Sequence, residues 1–328
     1  MAACRRRWKA SSWPSRSSTK STPGLTMSDA KPTIGFIGLG QMGRPMARAL
    51  SGAGYPLVLH DVDASAASAL ADELGAESAS HPGEVGRAAT IVILMLPNSR
   101  IVGRVVLGES DAPGLAAGMA AGGTIIDMSS SDPVETRKLA EALGDYELRL
   151  VDAPVSGGVK KAENGTLAIL IGGDDEPVDA VEPVLRAMGD KLLRAGPLGA
   201  GHTMKALNNF VSAAGLMAAS EALRIGTRFG IEPATVVEIL NASTGRNNST
   251  ENKFPQYVLP ESFTSGFSLA LMTKDIGIAR DLAKSIDMQA PLLDECAREW
   301  REAESALPER SDHTAFIRYL DQLGSERG

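Results

Sequence analysis

The chain has little cysteine, few aromatic residues and no long apolar run, and each shortage removes a class of protein. Of its 328 residues only Cys4 and Cys296 are cysteines. Two thiols so far apart provide no disulfide framework, and a reducing compartment is expected. The four histidines, His60, His81, His202 and His313, are scattered. None stands at helical spacing from another or from a cysteine, so no zinc-type site and no metal are expected. Aromatics make up 4% of the chain, too few for a nucleic-acid platform of stacked rings. No segment is long and apolar enough to span a bilayer, so no membrane partner is expected.

The formal net charge is −7, unevenly held. Residues 1–26 carry six basic side chains (Arg5, Arg6, Arg7, Lys9, Arg16, Lys20) and no acid. Without those six charges the remainder stands at −13, an acidic body that disfavours a DNA or RNA partner. A tail rich in Ser and Arg fits an organellar transit peptide, but Ser and Pro interrupt any apolar face. A disordered extension, or an upstream start codon ahead of Met27, is the favoured reading, with a cytoplasmic location ahead of organellar import. Residues 1–30 are therefore set aside from the fold.

What remains alternates strands and helices. Thr33–Ile37 is a short β-branched run that enters a glycine cluster, followed by a helical pattern with Met42, Met46, Ala49 and Leu50 on one face. Leu57–His60 and Ala64–Leu74 repeat the pair. Thr90–Leu96 is a continuous apolar run closed by Pro97, as a central parallel strand requires, and Thr124–Asp127 is another. Asp132, Pro133 and Glu135 mark a helix start. Leu148–Val151 and Thr166–Ile171 read as later strands, joined too closely for a crossover helix, so an antiparallel edge is expected. Lys191–Arg194 offers one more strand. Beyond Gly196-Pro197-Leu198-Gly199 the pattern is helical throughout, first over about Gly201–Phe229, then over 233–241, 268–285, 290–304 and 311–324. The expected fold is α/β: a Rossmann-type doubly wound sheet over 31–197, then an all-α substrate and oligomerisation domain over 198–328.

The chemistry begins at Gly38-x-Gly40-x-x-Gly43, between a strand and a helix. The first glycine permits the tight turn, the second the approach of a pyrophosphate, the third close helix–strand packing, with the helix N-terminus facing the phosphates. Asp61 ends the next strand, where its carboxylate can bond both ribose hydroxyls and would repel a 2′-phosphate. No Arg or Lys follows in Asp61-Val62-Asp63-Ala64, which favours NAD over NADP.

The ordered motifs together resemble the β-hydroxyacid dehydrogenase family, which includes 3-hydroxyisobutyrate dehydrogenase and tartronate semialdehyde reductase. The run Gly35–Ala47, with Gln41 and Met42, is similar to its cofactor signature. Met95-Leu96-Pro97 resembles its strand-end segment beside the cofactor, and Asp127–Pro133, with Ser129 and Ser130, its serine-rich loop. Asp152–Gly158 resembles its substrate loop, and Gly199–Asn209 its catalytic helix. Phe267 with Lys274-Asp275 looks like the segment that closes over the nicotinamide. The match runs from about Thr33 to Leu323.

The resemblance implies that Lys205 is the acid/base group and that Asn209, four residues on and so on the same helical face, holds the substrate. A lysine can take a hydroxyl proton when burial and neighbours lower its pKa toward neutrality. Taken alone, a lysine early in a long helix is more often simply solvated. Ser156-Gly157-Gly158 can cradle a carboxylate with backbone N–H groups and a hydroxyl, against the plainer reading of a tight turn. Ser129 and Ser130 end a strand at the expected ligand edge of the sheet. Arg246, in the polar loop 243–248, is a candidate carboxylate partner. Asp127 and Asp152 read as structural.

Two departures bear on substrate. The related 6-phosphogluconate dehydrogenases carry a glutamate where Ser212 stands, so the second acid for decarboxylation is missing. Lys160 stands where 3-hydroxyisobutyrate enzymes tend to have glycine, closer to the tartronate semialdehyde reductase form. The leading expectation is NAD-dependent oxidation of a small 3-hydroxy acid without decarboxylation. The alternative is NAD(P)H-dependent reduction of a small semialdehyde of the tartronate or succinate type. A non-enzymatic nucleotide-binding reader has no need of Lys205. The Ala-rich first helix of the second domain suggests packing into a homodimer or homotetramer.

Overall fold

The computed structural model describes residues 31–109 and 112–325, so the expectations for the N-terminal tail fall outside the described residues. The described residues form one compact unit. The chain enters through β1 (Ile34–Ile37), α1 (Gly43–Gly52), β2 (Leu57–His60), α2 (Ala64–Leu74), β3 (Glu77–Ser78), α3 (Pro82–Ala88) and β4 (Ile91–Leu94). There follow α4 (Ser99–Leu107), the small hairpin β5 (Gly108–Glu109) and β6 (Ala112–Pro113), α5 (Leu115–Gly118), β7 (Thr124–Asp127) and α6 (Pro133–Leu143). The sheet is completed by β8 (Arg149–Asp152), β9 (Val155–Ser156), α7 (Gly158–Glu163), β10 (Ala168–Gly172), α8 (Asp175–Arg186) and β11 (Lys191–Gly196).

The strands run in the order β11-β10-β8-β7-β4-β1-β2-β3. The pairs from β3 to β8 are parallel, with Ile37 aligned to both His60 and Leu94. The expected antiparallel edge is present: β10 pairs antiparallel with β8 and β9, then parallel with β11. Alternate residues divide between the two faces. Phe36, Leu59, Ile93 and Ile126 pack into one core, while Ile37, Val58, Val92 and Ile125 pack into the other. A sheet covered on both faces explains why its strands read as unbroken apolar runs. Strand order reverses between β1 and β4, and ligands of such folds bind where the C-terminal ends part at that point.

Several helix ends match their sequence signals. Asp132 caps α6, accepting from Val134 N and Glu135 N, with Pro133 at the first position. Asp63 caps α2 by accepting from Ala66 N. Several short helices had no counterpart in the sequence reading, and α8 is the longest of them. α8 forms despite Pro183 inside it, because Val178, Val181, Val184 and Leu185 are buried against the sheet.

After Gly196 no further sheet strand occurs among the described residues. The thirty-residue α9 (Ala200–Phe229) leads into α10 (Pro233–Ala242), a wide-turn helix over Ser249–Val258, α11 (Leu269–Ser285), α12 (Pro291–Ala306) and α13 (Phe316–Ser325). Their core gathers Ala213, Leu216 and Leu223 of α9 around Phe254, Ile276 and Trp300, with Trp300 stacked on Phe316 at 4.7 Å. The last helix begins later than its periodicity suggested. Asp312 first caps a short turn by accepting from Thr314 N, and α13 starts after it. No described helix is long and apolar enough to cross a membrane.

Candidate active site

The glycine cluster between β1 and α1 is shaped by three different constraints. Gly38 has φ +98°, and a Cβ there would lie 2.3 Å from Met95 O. A Cβ on Gly43 would lie 1.9 Å from Gly38 O, so only glycine lets α1 approach the turn. Around Gly40, by contrast, a Cβ would meet nothing of the protein. The residue expected to face a pyrophosphate is thus the one with open space beside it. The first turn of α1 has no side-chain cap and no acidic residue, which leaves its N-terminus suited to an anion. Gln41 is exposed and Met42 half-buried at the same turn. Asp61 ends β2, and its Oδ2 accepts from Leu39 N at 2.6 Å while Oδ1 accepts from Asp63 N at 2.9 Å. The carboxylate therefore pins the glycine turn, and it stays partly exposed with lone pairs to spare for ribose hydroxyls. These residues fit a nicotinamide dinucleotide.

Across the strand-order reversal, Leu96 N donates to Ser129 Oγ at 2.9 Å, tying the end of β4 to the end of β7. Ser129 N in turn donates to Asp127 Oδ1, and Ser131 Oγ to Asp127 Oδ2. Ser129, expected at the substrate, is fully buried, and its hydroxyl is occupied by Leu96. Its neighbour Ser130 reaches partly exposed surface. Lys274 of α11 arrives at the same edge. Its Nζ donates to Pro97 O and Ser130 O, both at 2.9 Å, so three residues expected near the nicotinamide meet at one ammonium.

α9 carries Lys205, the candidate proton-transfer group. Its start is fixed by Asp152, whose two oxygens accept from Gly199 N (2.7 Å) and His202 N (2.8 Å) with no exposed surface. The His202 ring packs between Asp152 and Asp127, and its Nδ1 lies 2.8 Å from Thr136 Oγ1. A Cβ on Gly201 would fall 2.3 Å from Leu170 O, so glycine allows α9 to lie directly on β10. Lys205 follows within a turn and Asn209 one turn later. Asn209 Nδ2 donates to Asp275 Oδ2 at 2.6 Å, which fixes its amide. Asp275 is buried, its Oδ1 makes no hydrogen bond, and it stands 3.6 Å from Lys274 Nζ.

Lys205 keeps some solvent-accessible surface, as a residue at the floor of a cleft does, while protein encloses it on most sides. Burial lowers its pKa; the charge of Asp275 opposes that shift and the charge of Lys274 adds to it. Its Nζ stands 6.0 Å from the ring centre of Phe267. The result is an amine more easily deprotonated than an ordinary lysine, beside an oriented amide and a buried carboxylate.

The remaining expected residues come from other elements. Ser156 ends β9, Gly157 and Gly158 have φ +139° and +70° and are exposed, and α7 that follows packs against α1. Arg246 is exposed and pairs with Glu251 at 3.5 Å. Sequence reasoning gave no role to Asp275, although it stands beside Lys274. It also passed over Lys253, whose Nζ donates to Ser212 Oγ. Among the described residues there is no group of three or more His, Cys, Asp or Glu that could hold a metal ion.

Comparison with known proteins agrees with this geometry. Residues 33–196 match the family described as the NAD binding domain of 6-phosphogluconate dehydrogenase. Residues 199–320 match the one described as NAD-binding of NADP-dependent 3-hydroxyisobutyrate dehydrogenase. Over 291 residues the chain is 34% identical to 2-(hydroxymethyl)glutarate dehydrogenase of Eubacterium barkeri, covering 88% of this chain and 95% of that protein. It is 37% identical over 262 residues to the mitochondrial 3-hydroxyisobutyrate dehydrogenase of Mus musculus, covering 78% and 77%. The solved Mycobacterium tuberculosis 3-hydroxyisobutyrate dehydrogenase with L-serine superposes with a TM-score of 0.80 at 31% identity, covering 88% of this chain and 99% of that one. The chain is an NAD-binding oxidoreductase, and it belongs to the β-hydroxyacid dehydrogenase family.

Proposed function

We propose that this protein oxidises the β-hydroxyl of a small 3-hydroxy acid to the semialdehyde with NAD, without decarboxylation, and that Lys205 takes the hydroxyl proton. The observation that carries the reading is the Lys205 amine, enclosed with a lowered pKa and one helical turn from the fixed amide of Asn209. NAD, held by the Gly38–Gly43 turn and Asp61, would supply the hydride acceptor for the carbon that bears the hydroxyl. Neutral Lys205 removes the proton from oxygen as the carbonyl forms. Asn209, held by Asp275, orients the hydroxyl. Ser156 and the backbone N–H groups of Gly157 and Gly158 cradle the substrate carboxylate. Asp61, with no Arg or Lys in the three residues that follow it, selects the unphosphorylated ribose. No acid stands at Ser212 to assist loss of carbon dioxide. The sheet-bearing part, up to about residue 197, carries the dinucleotide, and the helical part carries the substrate and joins subunits.

The test is NADH formation across 3-hydroxyisobutyrate, glycerate, 3-hydroxypropionate, serine and threonate, with NAD and NADP, for wild type and Lys205→Ala. The expected result is NAD-dependent turnover of at least one acid that falls about 10²- to 10⁴-fold in the variant. Turnover that survives in Lys205→Ala would overturn the role of Lys205. Absence of turnover with every acid would overturn the reaction.

A further inference from the structure

Ser212 lies seven residues beyond Lys205 and three beyond Asn209, so the three side chains share one face of α9. Its Oγ accepts a hydrogen bond at 2.9 Å from Nζ of Lys253, which comes from the wide-turn helix Ser249–Val258. That is the one hydrogen bond this three-donor ammonium makes with the described residues. No described carboxylate forms an ion pair with it. The acid whose charge it does feel, Asp312, is committed elsewhere: its oxygens accept from Ser265 Oγ, Gly266 N, Thr314 N and Thr314 Oγ1. Burial of Lys253, opposed by Asp312, pushes its pKa down to about 8. Close by, His313 is 3% exposed and its Nε2 has no partner. The charge of Lys253 reaches this ring, lowering a pKa already lowered mainly by burial.

The ring of Phe267 links this group to Lys205. The Phe267 ring meets His313 edge-on at 5.6 Å, and Lys205 Nζ stands 6.0 Å from its centre. An enclosed ammonium without a counter-ion is costly unless an anion arrives. Along α9, seven residues rise about 10 Å. A substrate whose second carboxylate sits a few carbons from the hydroxyl is the class that bridges such a gap.

Building on the hydroxy-acid reading above, we propose that Lys253 and Ser212 form a second anion subsite that holds a distal carboxylate, making a hydroxy dicarboxylate the preferred substrate. A single ammonium with one hydroxyl matches the charge of a carboxylate. Lys253 is thus a specificity residue, remote from the hydroxyl that reacts.

The test compares 2-(hydroxymethyl)pentanedioate with 2-(hydroxymethyl)butanoate, which share the reacting end and differ in the second carboxylate. Each is assayed with wild type, Lys253→Arg and Lys253→Met, after thermal melts establish that the variants are folded. Wild type is expected to favour the dicarboxylate in kcat/KM by roughly 10- to 100-fold, the worth of a charged hydrogen bond. In Lys253→Met that ratio falls to about one through a raised KM, and Lys253→Arg restores most of it. A wild type without the preference, or a ratio unchanged in Lys253→Met, overturns the subsite while leaving the hydroxy-acid reading intact. Calorimetric binding of glutarate, which has no hydroxyl to oxidise, separates the two proposals. If neither acid turns over, the reaction assignment fails; glutarate that binds wild type and not Lys253→Met still supports the subsite, and equal binding to both overturns it. Should Lys253→Met fail to fold, Ser212→Ala takes its place, with the same loss of ratio expected and an unchanged ratio overturning the proposal.

Discussion

Replacing Asp152 by Asn tests what holds the catalytic helix on the sheet. Both oxygens of Asp152 accept buried backbone N–H groups at the start of α9, Gly199 N at 2.7 Å and His202 N at 2.8 Å. An amide keeps one acceptor and turns a donor toward the other N–H. One buried donor is then unsatisfied, at a cost of about 1–3 kcal/mol. The anion at the helix N-terminus is also lost, worth up to about 1 kcal/mol. Against this, the variant no longer buries a charge, so the net loss is about 2 kcal/mol. In a protein of this size that lowers Tm by about 5 °C. Asp152→Ala removes both acceptors and is expected to cost about twice as much. Because Lys205 lies within a turn of His202, kcat should fall as well, while dinucleotide binding at the glycine turn persists. Thermal unfolding followed by circular dichroism, together with cofactor fluorescence titration, reads both effects. An Asp152→Asn protein that melts within about 1 °C of wild type, or an Ala variant no worse than Asn, would refute this account of the junction.

Gly40→Ala is expected to leave Tm nearly unchanged and to weaken dinucleotide binding, since its Cβ would meet only the space a ligand needs. Gly43→Ala should destabilise the fold, because its Cβ would fall 1.9 Å from Gly38 O; equal melting of the two variants would contradict the division of roles. Asp61→Asn keeps an acceptor for Leu39 N but removes the charge, so the ratio of kcat/KM for NAD over NADP should drop by roughly tenfold or more. Burial lowers the pKa of Lys205, so oxidation, which needs the free amine, should rise with pH through an inflection below the ordinary lysine value of 10.5. Reduction, which needs the ammonium, should fall with pH through the same group, and Lys205→Ala should abolish the inflection in both profiles.

The parts legible in the sequence are those fixed by near neighbours. The turn from β1 into α1 is specified within ten residues, because Gly38 takes a positive φ and a Cβ on Gly43 would meet Gly38 O. The cap at Asp132 is set by Val134 and Glu135 next to it. The strand edge at Asp61 is read from the apolar run that it ends. What could not be read depends on partners far along the chain. Asn209 is oriented by Asp275, 66 residues away, and Lys253 meets Ser212 across 41. Ser129 shows the same limit in reverse: its place at a strand end suggested a ligand, but Leu96 N, 33 residues earlier, takes its hydroxyl. In α8, burial of four apolar side chains overrides the local signal of Pro183.

Charge gives these distant contacts a common purpose. The molecule is acidic as a whole, at −7, yet the charge of Lys274 reaches Lys205, and the ring of Phe267 links Lys205 to His313, which feels the charge of Lys253. Two of the three are accounted for within the protein. Lys274 is held by two carbonyl oxygens and faces Asp275, and Lys205 carries a lowered pKa. In the proposed reaction Lys205 gains a proton on oxidation; the charge of Asp275 favours that ammonium and the charge of Lys274 opposes it. Lys253 has no such carboxylate committed to it, and in the proposed subsite the charge that completes it comes with the substrate. A local excess of positive charge in an otherwise acidic protein also draws anionic substrates toward the one place where hydroxyl, amine and dinucleotide meet.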